Sequence, residues 1–171
     1  MCMATLIKNR AIAANSWQLL ESSADGTTAA IPASGDILVP LKVWQSAKDE
    51  LSRRSGQTGV ILEPSDDPAT ISADLRSLPV IAVRFPKFAD GRGYSTGRLL
   101  RERYGFAGEL RAIGDVLRDQ LSLMERCGFD SYLLRDDQDV ATALAAFGDF
   151  SETYQASTEQ PVPLFRRRAQ A

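Results

Sequence analysis

The segment Pro86 to Gly93, PKFADGRG, sets a lysine, an aspartate and an arginine among glycines, and Ser95 and Arg98 follow closely. Such residues suit an anion, because glycine N–H groups and the positive end of a following helix can point the same way. On this reading Lys87, Arg92 and Arg98 supply charge, Gly91, Gly93 and Ser95 supply hydrogen bonds, and Asp90 acts as general acid or base. Arg84, Asp115 and Arg135 fall where other apolar runs end, so they join the same anion-binding set. The competing reading is a plain turn at Asp90-Gly91 with solvated basic residues, or arginines paired with Glu102, Glu109 or Asp119 on helix surfaces. As a nucleotide motif the loop is weak: Gly91-x-Gly93-x-x-x-Gly97 is one residue too long for the dinucleotide fingerprint, and no GxxxxGK[ST] occurs. Tyr94 and Arg98 have the spacing at which reductases pair a tyrosine with a lysine, but arginine stands at the lysine position.

Composition removes whole classes of chemistry. The 171 residues contain no histidine, which excludes Ser-His-Asp and Cys-His nucleophile systems, histidine-ligated zinc and histidine-ligated haem. Two cysteines, Cys2 and Cys127, cannot hold a four-thiolate iron–sulfur cluster. No iron–sulfur cluster, haem or zinc is therefore expected on this chain alone, and redox electrons would need an organic cofactor or a partner. With 20 basic against 22 acidic side chains and little interleaving of aromatic and basic residues, a nucleic-acid footprint is not expected. Residues 84 to 135 carry ten Lys+Arg against seven Asp+Glu, a local surplus that fits a small anion or an acidic protein patch. No run approaches the ~18 apolar residues of a membrane span. MCMATLIKNR lacks the apolar core of a signal peptide, so a cytoplasmic location is expected. Cys2 lies at a terminus expected to fray and Cys127 falls in a helical apolar stripe, so no disulfide is expected.

The elements that must position these groups follow from periodicity. ILVPL (37–41), GVILEP (59–64), PVIAVRF (79–85), ELRAIG (109–114) and SYLLR (131–135) read as strands, with a sixth at SETYQ. Helical segments fit between them over 43–54, 68–78, 95–104, 115–127 and 137–147, with Asp67, Asp115 and Asp137 as caps and Gly105 and Gly128 as stops. Residues 4–20 read as a hairpin around Lys8-Asn9-Arg10. The fold class is α/β: an open, mostly parallel sheet of about five strands with helices on both faces, or alternatively a half-barrel. Ligands on such sheets bind at the carboxyl ends of the strands, where Glu63, Arg84, Asp115, Arg135 and Asp136 would converge.

A single α/β domain over 1–155 is expected, with the hairpin and a loose loop filling 1–36, followed by an extended tail over 156–171. A chain of this size buries roughly 70% of its unfolded surface and needs no metal or disulfide staple. The tail contains Pro161, Pro163, Leu164, Phe165, Arg166, Arg167 and Arg168, a proline-constrained stem with two apolar residues and three arginines. That is the makeup of a docking motif; a solubilising end is the alternative.

The run FPKFADGRGYSTGRLLRERYGFAGELRAIGDVLRDQLSLMERCGFDSYLLRDD resembles the core of the bacterial family DUF934, and LIKNR, DILVPLKVW and PLFRRR extend the likeness over most of the chain. The resemblance implies an oxidoreductase, or an oxidoreductase-associated subunit, of assimilatory sulfite reduction that works beside the sulfite reductase haemoprotein. The chain lacks the cysteines for that enzyme's four-iron cluster, so it is not expected to be the catalytic subunit. Two functions remain: an accessory protein docking through the tail and basic rim, with a role in electron delivery, or a small anion-binding enzyme or sensor built on residues 86–95.

Overall fold

β-branched runs broken by polar and glycine-containing segments fold here into one sheet. The computed structural model describes residues 5–21 and 30–169. Its strands are β1 (Leu6–Lys8), β2 (Ala11–Ala13), β3 (Gln18–Leu19), β4 (Ile37–Pro40), β5 (Thr58–Leu62), β6 (Val80–Phe85), β7 (Glu109–Gly114) and β8 (Ser131–Leu133). Their order is β2-β1-β8-β7-β6-β5-β4-β3. Neighbours from β3 to β8 are parallel, while β1 runs antiparallel to both β8 and β2. The hairpin turns where expected, through Asn9 and Arg10 at φ of 50° and 61°, the left-handed pair a two-residue hairpin requires. Its second arm ends at Ala13, and the chain then crosses to the opposite edge of the sheet, where Gln18 and Leu19 pair with β4.

The strand order never reverses, so crossovers of one hand must all lie on one face. Packing agrees: Leu41, Leu75, Leu100, Leu121, Met124 and Phe147 cluster with Val60, Leu62, Val83, Phe85 and Ala112. Val43 and Leu51 cover Ile37 and Val39 in the same way. On the other face Leu38, Ile61, Val80, Ala82 and Ile113 pack with Trp17, Leu19 and Leu133, and among the described residues no helical one joins them. The architecture is therefore the half-barrel, a curled sheet with its helices outside, and the expectation of helices on both faces is corrected. SETYQ is not a strand, because β1 already occupies the edge beside β8.

The helical segments are shorter than their periodicity suggests. The 43–54 segment divides into α1 (Leu41–Ser46) and α2 (Lys48–Arg53), and 68–78 keeps only a 3-10 turn over Pro68–Ile71, capped as expected by Asp67. α3 (Arg92–Arg98) continues as one wide π-helical stretch, Leu99–Arg103. α4 (Leu121–Arg126) and α5 (Val140–Ala145) follow. Asp139, not Asp137, caps α5 by accepting from Thr142 N at 2.8 Å. Asp115 caps no helix and instead receives Phe88 N at 2.8 Å. Residues 164–168, expected to be extended, form the short helix α6 (Leu164–Arg168). Thr158 N and Oγ1 tie the chain ahead of it to Arg126 O. Cys2 lies outside the described residues, and Cys127 is a half-buried free thiol packed against the core. No helix among the described residues is long and apolar enough to cross a membrane.

The concave face holds a charge network. Arg111 is 1% exposed, and its guanidinium donates to Glu109 Oε1 at 2.7 Å and to Asn15 Oδ1 at 3.1 Å while lying 6.0 Å from the Trp17 ring centroid. Lys8 completes it with a 2.7 Å bond to Glu109 Oε2. Burial by itself raises the Glu109 carboxyl, but Lys8 and Arg111 outweigh it and hold it below its ordinary value. Glu109→Gln leaves a buried guanidinium without its carboxylate and is expected to cost about 3–5 kcal/mol in chemical denaturation. A depressed carboxyl contributes stability above its unfolded pKa and loses it as pH falls through the folded one. Unfolding free energy therefore declines below about pH 4, where ordinary glutamates titrate, and Glu109→Gln flattens that decline.

The glycines of the 91–97 segment set how closely α3 approaches the sheet. A Cβ at Gly93 would stand 2.6 Å from Phe85 Cζ, and one at Gly97 would stand 2.4 Å from Phe129 Cε2. Gly97→Ala is expected to lose about 1–3 kcal/mol by overpacking. Gly91→Ala, whose Cβ meets nothing closer than 3.8 Å, should stay within about 0.5 kcal/mol of the parent in the same denaturant titration.

Candidate functional site

Side chains on a strand alternate between faces, so Arg84 at the end of β6 points to the concave side while Phe85 points to the helices. Its guanidinium donates to Glu63 Oε1 at 2.8 Å and to Glu21 Oε1 at 3.1 Å. Burial disfavours this cation, and the charges of Glu63 and Glu21 more than restore it, so its pKa stands above the ordinary arginine value. The three line a cavity of about 410 Å³ with Pro40, Lys42 and Asp66, in which carboxylates outnumber cations.

A second cluster sits where β7 and β8 end. Arg135 Nη1 reaches Asp115 Oδ1 at 2.6 Å, and its Nε and Nη2 each reach the Asp137 carboxylate at 2.7 Å. Asp115 uses its other oxygen for Phe88 N, so it locks the 86–91 loop to the end of β8. Gln120 Nε2 reinforces the loop through Phe88 O at 3.3 Å. The Asp137 carboxyl is pushed down to about 2, chiefly by the hydrogen bond from Arg135.

The residues proposed for an anion are thus distributed rather than gathered. Arg92 closes a two-oxygen pair on Asp90 at 2.9 and 2.6 Å. That hydrogen bond holds the Asp90 carboxyl below its usual range, which leaves it ionised, a weak base and no proton donor near neutrality. Arg98 pairs with Glu102 at 2.9 Å and, with Ser95, faces a shallow cleft on the outer side of α3. Gly93 is buried against Phe85, so the expectation of an exposed glycine N–H there is corrected: the glycine serves close packing. Among the described residues Lys87 makes no salt bridge and is exposed, as is Gly91. Asp115 and Arg135 do meet, as the strand-end argument requires, while Arg84 turns to Glu63 and Glu21 instead. No group of three His, Cys, Asp or Glu among the described residues is arranged to hold a metal.

The tail residues meet side chains that sequence reasoning missed. Phe165, 54% exposed, lies 6.3 Å ring to ring from Tyr154, which is 67% exposed. Tyr154 in turn lines a cavity of about 310 Å³ with Leu123, Arg126 and Phe150. Leu123 and Phe150 are themselves exposed, so a continuous apolar strip runs from α4 to α6. Arg166 stacks 5.8 Å over Phe165, and Arg167 pairs with Glu152 at 2.9 Å. Pro163 and Leu164 are half-buried at the foot of this strip, and Arg168 is exposed beside it. The one available signal was Phe150 and Tyr154 in a stretch with no helical period, where apolar residues have no core to enter.

A singly wound α/β half-barrel with carboxylate-paired arginines along its rim defines the class of protein. Residues 59–165, well over half the chain, match the family described as bacterial protein of unknown function, DUF934, and the chain belongs to it. No curated protein and no solved structure matches it.

Arg135→Ala should return the Asp137 carboxyl toward the ordinary aspartate value of ~3.9, read by carbon NMR titration of the side-chain carboxyls. An unchanged Asp137 titration would mean the rim pairing is absent in solution.

Proposed function

We propose that this protein is an accessory component of sulfite reduction that docks on a partner protein through its carboxyl-terminal face. The observation that carries this reading is the exposed strip of Leu123, Phe150, Tyr154 and Phe165, with Arg126, Asp119 and Glu152 around its cavity and the exposed Arg166 and Arg168 on α6. Contiguous exposed apolar groups rimmed by charge are characteristic of interaction sites, and aromatic and arginine residues dominate binding energy there. The partner it suits presents an apolar pocket for the aromatic rings, with acidic groups placed to meet Arg166 and Arg168 of α6. The family resemblance nominates the sulfite reductase haemoprotein, with this chain contributing to electron delivery rather than to sulfite chemistry. The reading of residues 86–95 as an anion site has less support, since Arg84, Arg92, Arg98 and Arg135 are each already paired with carboxylates.

The test is binding of the purified chain to the haemoprotein by size-exclusion co-elution and surface plasmon resonance, at low and high salt. The full chain is expected to bind, more weakly as salt rises. A version ending at Gln160, and the Tyr154→Ala/Phe165→Ala variant, should each bind at least tenfold more weakly. Undiminished binding of both would remove this face from the interface, and absence of binding by the full chain would remove the haemoprotein as partner.

A further inference from the structure

At the opposite end of the sheet from the rim, α1, α2 and the segments entering β5 and β6 enclose a cleft of about 450 Å³ that neither the docking face nor the family assignment uses. Its apolar floor is Leu51 and Leu78, and Trp44 forms a wall. The indole is fixed by donation from Nε1 to Asp74 Oδ2 at 2.9 Å. Three cations, Lys48, Arg54 and Arg76, line the cleft, and among the described residues no carboxylate lines it with them.

The balance of charge distinguishes this cleft from the rim. Asp74 pairs with Lys48 at 2.6 Å. Arg54 spends its hydrogen bonds on uncharged acceptors, the carbonyls of Pro32, Gly35 and Gln57 and the Thr58 hydroxyl, so its charge meets no carboxylate among the described residues. Arg76 is exposed and makes no salt bridge among the described residues. Among the described residues Asp74 and Asp36, the latter accepting from Gln57 N at 2.8 Å, thus stand against three cations around a concave, partly apolar space, where fields are focused and counter-ions concentrate. At the rim every cation but Lys42 and Lys87 is paired with a carboxylate.

We propose that this cleft binds a tetrahedral oxyanion, phosphate or sulfate, either free or as the end group of a small ester whose body lies along Trp44. Arg76, which makes no salt bridge among the described residues, reaches the anion, the fixed Arg54 adds charge from behind, and Trp44, with Lys48 Nζ 5.7 Å from its ring centroid, walls the side along which the rest of an ester would lie. Charge-assisted bonds from guanidinium to such an oxyanion are among the stronger polar contacts available to a protein.

Trp44 also provides the readout, since the chain has only two tryptophans, Trp17 and Trp44, and Trp17 lies on the concave face. Sodium sulfate, sodium phosphate and phenyl phosphate are titrated separately at constant ionic strength into the nitrogen-15-labelled full chain. The two indole signals are assigned with Trp44→Phe. The Trp44 indole signal is expected to shift saturably while that of Trp17 stays in place, with affinity at least tenfold weaker in Arg76→Ala and partly recovered in Arg76→Lys. Tighter binding of phenyl phosphate than of phosphate assigns the site to an ester, and equal binding assigns it to the free anion. The proposal is overturned if none of the three moves Trp44 saturably, or if Arg76→Ala binds as the parent does while its spectrum shows an intact fold.

Discussion

The chain between β2 and β3 crosses the hollow of the curled sheet from one edge to the other, and the rest of the fold depends on that crossing. With every βα crossover on the convex face, no helix among the described residues covers the concave face. Five apolar strand residues, Leu38, Ile61, Val80, Ala82 and Ile113, would otherwise face water. Trp17 and Leu19 from the crossing segment cover them, and Asn15 tethers it to Arg111. A guanidinium as deeply buried as that of Arg111 is tolerable only because Glu109, Asn15 and the face of Trp17 surround it. One ion network thus joins β1, β7 and the crossing segment, and the hairpin, the central sheet and the far edge strand are held to a common geometry.

Much of this was legible in the sequence, for reasons that can be named. Strand positions were readable because short apolar runs bounded by glycine, proline and polar residues are too brief for helices, and the hairpin because two β-leaning runs flank the polar Lys8-Asn9-Arg10. Strand order was not readable, since it depends on which edge each returning strand finds free, and that decides between helices on one face and on two. Helix lengths were overread for a similar reason. Residues 71–78 carry apolar side chains at helical spacing, yet Leu75 reaches the core from a turn and Leu78 from the irregular segment after it.

The candidate site was legible in its composition and not in its pairing. That Asp115 and Arg135 meet follows from their places at the ends of adjacent parallel strands. That Arg84 would be claimed by Glu63 and Glu21 needed the crossing segment to deliver Glu21 to the rim, a contact across 63 positions of sequence. Gly93 was read for its backbone N–H group, whereas it is the lack of a Cβ at Gly93 and Gly97 that lets α3 lie against Phe85 and Phe129. The same residue type answers both needs, and only the neighbour shows which one operates.

These pairings change where an anion or an acidic partner would be drawn. An arginine held by two carboxylates presents little net field, so the rim, rich in arginine by sequence, is close to neutral or acidic in effect. Although the chain carries 20 basic against 22 acidic side chains, cations unpaired among the described residues gather elsewhere: Arg54 and Arg76 at the Trp44 cleft by the amino ends of the strands, and Arg166 and Arg168 on α6. A half-barrel leaves both of these regions open, because its helices cover only the convex side and its crossing segment only the hollow. Function on this fold is therefore to be sought at the margins of the sheet that neither cover reaches, with the rim serving to fix the loops that frame them.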